Sequence, residues 1–151
     1  IKVNDKKLQK KLDDLNDALT DRKSQFLMGK YIVGLIVERT RGKGQGVKRT
    51  GANASKLKNV SDAWAARRAK LPGKSPKAAT GKKSNLTFRA KMLDNLNVLS
   101  VGTTKGVVIG YPDPLQADKA EGNEKRGRPC MYLSRGEITK ASDFLKKQIL
   151  K

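Results

Sequence analysis

The chain has 151 residues, with 34 lysines and arginines against 14 aspartates and glutamates, a formal net charge of +20 and no histidine. A unit of this length buries a core without disulfide or metal staples, and the single cysteine, Cys130, excludes an internal disulfide and supplies no metal-ligand spacing. Without histidine, serine and cysteine triads and most zinc sites are excluded in their usual forms.

From Asp5 to Arg39 the apolar residues Leu8, Leu12, Leu15, Leu19, Phe26, Val33 and Val37 recur at three, four or seven positions, which predicts one long amphipathic helix over 5–39. Gly29 and Gly34 weaken it or mark close packing. Asp13, Asp14, Asp17 and Asp21 alternate with lysines on this stretch and read as a solvated face. Residues 1–11 are polar and basic with no apolar stretch behind them, so no secretory signal is expected. The longest apolar run, Tyr31 to Val37, falls far short of the roughly 20 residues of a bilayer span, and no membrane partner is expected.

Residues 41–84 read as a basic, Gly-rich loop segment, with a short helix near Ser61 to Lys70 capped by Ser61 and anchored by Trp64. Its runs Gly42-Lys43-Gly44-Gln45-Gly46 and Gly81-Lys82-Lys83-Ser84 lack the spacing of a phosphate-binding loop. Within 85–133, Thr87 to Asn95 reads as a short helix. Leu96 to Val101 and Val107 to Tyr111 form a hairpin about the turn Thr103 to Gly106. Pro112 and Pro114 end it, and Gln116 to Arg128 reads as a loop. Over 134–151, Ser134 and Glu137 stand at capping-box spacing before a helix whose apolar face is Ile138, Ala141, Leu145 and Ile149. The whole is read as a single domain over 1–151.

A charge of +20 predicts a negative neighbour. Arg41, Lys43, Lys48, Arg49, Arg67, Arg68, Lys82 and Lys83 are the candidate cations, facing DNA phosphates or a partner without sequence readout. The residues suggest no catalytic, cofactor-binding or metal-binding group, and no cofactor.

The order of these parts carries a resemblance. The long helix is followed by Arg41-Gly42-Lys43-Gly44-Gln45-Gly46, by Lys83-Ser84-Asn85-Leu86-Thr87 leading to Lys91-Met92-Leu93-Asp94-Asn95-Leu96, and by the strand Val107-Val108-Ile109-Gly110-Tyr111. Arg126-Gly127-Arg128-Pro129 then precedes Met131-Tyr132-Leu133-Ser134 and the last helix. In this the chain resembles the tail-completion, or neck, proteins of tailed bacteriophages. It departs from them at Arg89-Ala90, where Thr-Gly is expected, and at Cys130, where an aromatic is common. The resemblance implies an α+β subunit: a long N-terminal and a C-terminal helix packed on a small antiparallel sheet, with a long basic loop insertion. It implies a non-enzymatic virion structural protein, in a hexameric or dodecameric ring joining the head to the tail. The partners would be adjacent neck, portal and tail proteins, with nonspecific contact to DNA in the channel. Its place would be the head-tail junction of a virion assembled in the host cytoplasm. Arg128 and Pro129 would position the last helix. The alternative is a basic protein that binds nucleic acid without sequence preference.

Overall fold

The computed structural model describes residues 10, 17, 21–49, 52–76, 78–86, 89, 91–102 and 106–149. Within them the chain is an α+β fold of five helices and two small antiparallel sheets.

Helix α1 (Arg22–Val37) starts where Asp21 leaves helical geometry at φ −64°, ψ 117°. The Asp21 carboxylate accepts from the backbone N–H of Lys23 at 3.3 Å and of Ser24 at 2.7 Å, satisfying donors that have no partner inside the helix. Its hydrogen bonds to Ser24, foremost, hold it below the ordinary carboxylate value. The continuous helix expected over 5–39 is therefore interrupted at Asp21, and most of its first half lies outside the described residues. At its other end α1 runs into a π-helical turn, Glu38–Gly42, in which Arg39 and Thr40 are buried.

The basic segment is stitched into the body rather than inserted as a loop. β1 (Gln45–Gly46) pairs antiparallel with β2 (Ser55–Lys56), and Val47, Leu57 and Val60 are buried. A side chain at Gly46 would run into the Pro129 carbonyl, so this position requires glycine for close approach. Helix α2 (Asp62–Lys70) is capped as expected, the Ser61 hydroxyl accepting from the Trp64 N–H at 3.3 Å. Its buried residue is Arg68, not the expected anchor Trp64, which is 37% exposed.

The short helix expected over Thr87 to Asn95 is confined to α3 (Lys91–Asp94), with Met92 and Leu93 buried, while Thr87, Phe88 and Ala90 lie outside the described residues. The hairpin forms as expected from β3 (Asn97–Gly102) and β4 (Gly106–Gly110). Its expected turn residues Thr103 to Lys105 lie outside the described residues. Val98 pairs with Ile109, Ser100 with Val108 and Val101 with Val107, so Leu99 is the extra residue of a bulge. α1 crosses one face of this sheet. A methyl group added at Gly29 would come within 2.6 Å of Val98 and 2.7 Å of Val107, which is why the helix can lie so near the strands there. Leu99 and Val108 remain exposed.

The stretch read as a loop after the hairpin is helix α4 (Pro114–Lys125). Asp113 is its N-cap, accepting from the Leu115 N–H at 2.9 Å, and Pro114 occupies its first turn. Proline is pre-organised for that position, so the residues taken as a stop signal are the start of a helix. Helix α5 (Arg135–Ile149) follows the predicted capping box. The Ser134 hydroxyl receives the Glu137 N–H at 3.3 Å, and the Glu137 carboxylate accepts from the Ser134 N–H at 2.8 Å. α5 packs on α1 rather than on the sheet as expected, with Tyr31 and Phe144 stacked at 4.5 Å. Its inward residues include Glu137 and Ala141. Ile138, placed on the apolar face from the sequence, is 52% exposed, and the side chain of Ile149 lies outside the description.

The main apolar cluster joins Met92 and Leu93, Ala120 of α4 and Cys130, with Val37, Leu86, Tyr111 and Met131 packed around it. It lies where the end of α1 meets α3, α4 and the Arg128-Pro129-Cys130 segment, and one wall of it opens into a groove. No helix among the described residues is long and apolar enough to cross a membrane.

Candidate functional site

Beside this cluster, three separated stretches of chain enclose a groove of about 700 Å³. The first is Val60 to Leu71, containing α2; the second supplies Ser84, Asn85, Leu86, Arg89, Lys91 and Met92; the third is Asp113 to Arg128, containing α4. Leu71, Leu86, Met92 and Leu115 supply apolar surface, and Trp64 is the aromatic residue on its wall. The remaining lining is mainly cationic: Arg68, Arg89, Lys91, Lys119 and Arg128 against the carboxylate of Asp113.

These charges divide into two groups. Arg68 is buried and donates to the backbone carbonyls of Gly81 and, at 3.1 Å, Lys83. Arg128 donates to the carbonyls of Lys58 at 3.1 Å and Asn59 at 3.3 Å. Burial, with the nearby charge of Arg126, holds the Arg128 guanidinium below its ordinary pKa. Both arginines clamp the backbone that forms the walls. Asp113 is also engaged, accepting from the Leu115 N–H and from the Gln116 side-chain amide at 3.0 Å. By contrast the side chains of Arg89, Lys91 and Lys119 are exposed and have no hydrogen bond or ion pair with another described residue. Their charges face a groove whose lining also carries the carboxylate of Asp113. A shallower depression of about 580 Å³ adjoins it, sharing Val60 and Arg128 and adding Lys58, Lys125 and Arg126.

The cations expected from the sequence are not gathered at one place. Of these candidates only Arg68 lines the groove; Arg128, expected to position the last helix, lines it too. Arg41 pairs with Asp94 and Lys82 with Asp62 at 2.6 Å, so both are engaged within the chain. Lys43, Lys48, Arg49, Arg67 and Lys83 are exposed elsewhere. Pro129 is buried with its carbonyl against Gly46, and Ser134 and Glu137 form the cap described above. Sequence reasoning missed Arg89, Lys91 and Lys119 because no local motif joins them. Trp64, expected as the anchor of its helix, stands instead on the groove wall.

Among the described residues no group of three or more Cys, Asp or Glu side chains is arranged to hold a metal ion. Cys130 is a poor nucleophile: burial, first, pushes its thiol pKa up, with the Tyr111 hydroxyl 3.7 Å from its sulfur. Comparison with protein-family models, with curated proteins and with solved structures finds no match to the chain.

Proposed function

We propose that the chain is a non-enzymatic structural subunit of a ring that joins the head of a tailed bacteriophage to its tail, of the tail-completion or neck type. The motif order resembling that family supports the reading, and so does the absence of histidine from the sequence. The observation that carries it is the unfinished hairpin sheet. β3 and β4 pair only with each other among the described residues, and a two-stranded sheet is marginal by itself. α1 covers one face of it. The other face presents Leu99, 48% exposed, and Val108, 36% exposed.

The occupant of that face is the next copy of the chain. A contact between two different surfaces of identical subunits repeats head to tail and closes into a ring when the rotation permits. The hairpin face is one such surface, and the exposed Phe26 and Leu27 at the start of α1 offer a second. Adding a neighbour's chain along an open strand edge would satisfy the edge amides at the same time.

Light scattering and native mass spectrometry over a concentration series test the reading. A discrete multimer of fixed stoichiometry, six or twelve copies, is expected. The double variant Leu99→Lys, Val108→Lys should give monomers of unchanged helix content, because neither side chain is buried within the subunit. A wild-type chain that stays monomeric up to its solubility limit, or a multimer indifferent to the double variant, overturns it.

A further inference from the structure

We infer that the groove between α2, α3 and α4 receives the leucine-bearing acidic segment Leu12 to Thr20 of a neighbouring copy of the chain. This contact rests on the reading that copies of the chain assemble head to tail, and it is distinct from the hairpin face.

The groove is first an apolar surface left open. Met92 belongs to the main core cluster and Leu86 packs against it, and both continue into the groove lining, where Leu71 and Leu115 join them. Leu115 is 57% exposed, the highest value among the large apolar side chains of the described residues, and an apolar patch that extends outward from a core marks a contact surface. A polar atom of the lining also lacks a partner. Gln116 is 5% exposed and its side-chain amide donates to Asp113, yet its side-chain oxygen accepts no hydrogen bond from a described residue. A docked main chain carries the N–H donors that such a buried acceptor requires.

The occupant follows from the sequence. Leu8, Leu12, Leu15 and Leu19 recur at four, three and four positions, the spacing with which an amphipathic segment lays its anchors into an apolar groove. Leu12 to Thr20 also carries Asp13, Asp14 and Asp17 and no lysine or arginine, and elsewhere this chain of net charge +20 has no nine residues in a row with three carboxylates and no cation. The groove lining holds five cations and one carboxylate. Asp113 answers part of that charge, so the cations by themselves call for nothing; they decide which apolar segment of the chain fits. Asp17 already has a partner, which leaves Asp13 and Asp14 to face the exposed Lys91 and Lys119.

The segment comes from another copy because its own subunit's groove is out of reach. Val37, at the end of α1, packs against the cluster from which the groove opens, whereas Leu19 stands three residues before Arg22, where α1 starts. The 16 residues of α1 span about 24 Å, and three residues of chain reach at most about 11 Å.

Photo-cross-linking in the full chain tests the contact. Benzoyl-phenylalanine takes the place of Asn16, between the leucines, in a sample of isotopically heavy and light chains mixed in denaturant and refolded together, and native mass spectrometry reads the oligomeric state. Cross-links from position 16 to α2 or α4 are expected, with heavy–light pairs among them. Leu12→Asp with Leu15→Asp in the segment, or Leu115→Asp in the groove, should lower their yield by at least about tenfold. Ile138→Asp, at a side chain 52% exposed and outside the groove, should leave it unchanged. Circular dichroism checks that each variant is folded. A multimer without these cross-links, heavy–heavy and light–light pairs alone, or a yield indifferent to Leu115→Asp overturns the docking and leaves the ring standing. A chain that is monomeric at every concentration overturns both.

Discussion

The guanidinium of Arg39 and the carboxylate of Glu137 meet at 2.5 Å with their side chains 5% and 10% exposed. Arg39 also donates to the carbonyls of Tyr132 at 3.0 Å and Cys130 at 2.6 Å, and Glu137 accepts from the Ser134 N–H and hydroxyl, each at 2.8 Å. One carboxylate thus completes the cap of α5 and neutralises a cation at the end of α1.

Removing it should be severe. Glu137→Ala leaves a buried guanidinium without a counter-charge and should cost about 3–5 kcal/mol in urea unfolding. Replacing both partners together with Met and Leu should cost less than that single change, because no unpaired charge is then left inside. A double-mutant cycle reads the coupling directly.

Two glycines on the same helix should respond in opposite directions. Gly29→Ala puts a methyl group against Val98 and Val107 and should destabilise by about 1–3 kcal/mol. Gly34 has nothing within 4 Å of an added Cβ, so Gly34→Ala should stabilise by about 0.5–1 kcal/mol through helix propensity. Thermal melts of the two variants and the parent chain provide the comparison.

Alkali should weaken the fold through Cys130 and Tyr111. Burial is the largest cause in both cases, and it raises each pKa above its ordinary value of 9.0 and 10.0 respectively. A raised pKa means that the folded state holds the proton more tightly than the unfolded one. The stability this contributes is complete below pH 9.0, and it declines as pH climbs past the two ordinary values. The urea midpoint should therefore fall above that pH, and less steeply in Tyr111→Phe. A thiol reagent at about pH 8 should modify the native chain only as fast as it opens.

Excising the chain between Gly42 and Ser84 should abolish cooperative unfolding rather than trim a loop. Val47, Leu57 and Val60 are buried there, and the Arg135 N–H donates to the Ala52 carbonyl at 2.9 Å. Loss of the thermal transition by circular dichroism is the expected result; a sharp residual transition would show that the segment is dispensable.

The parts of the fold that were legible are those whose chemistry is local. Ser134 and Glu137 satisfy each other three residues apart, Ser61 caps its own helix, and the β-branched run Val107 to Ile109 needs only its neighbour strand. What was illegible depends on distance along the chain. α4 was hidden because its first turn carries the proline that also marks a stop, and because its apolar residues form no stripe. The size of Trp64 predicts an anchor, yet Arg68 on the same helix goes inside by donating to two carbonyls. The candidate groove has no linear signature at all, since its walls come from three stretches brought together only by the fold.

The pairing of Arg39 with a residue 98 positions later also governs the order in which the chain can be finished. At ordinary synthesis rates of about 5–20 residues per second, roughly 5 to 20 s pass between the emergence of the two partners. Throughout that interval the end of α1 carries a guanidinium that must stay hydrated. Closure of the body around it waits for the last helix, and a nascent chain stopped short of Glu137 is left open at the point where its core should seal.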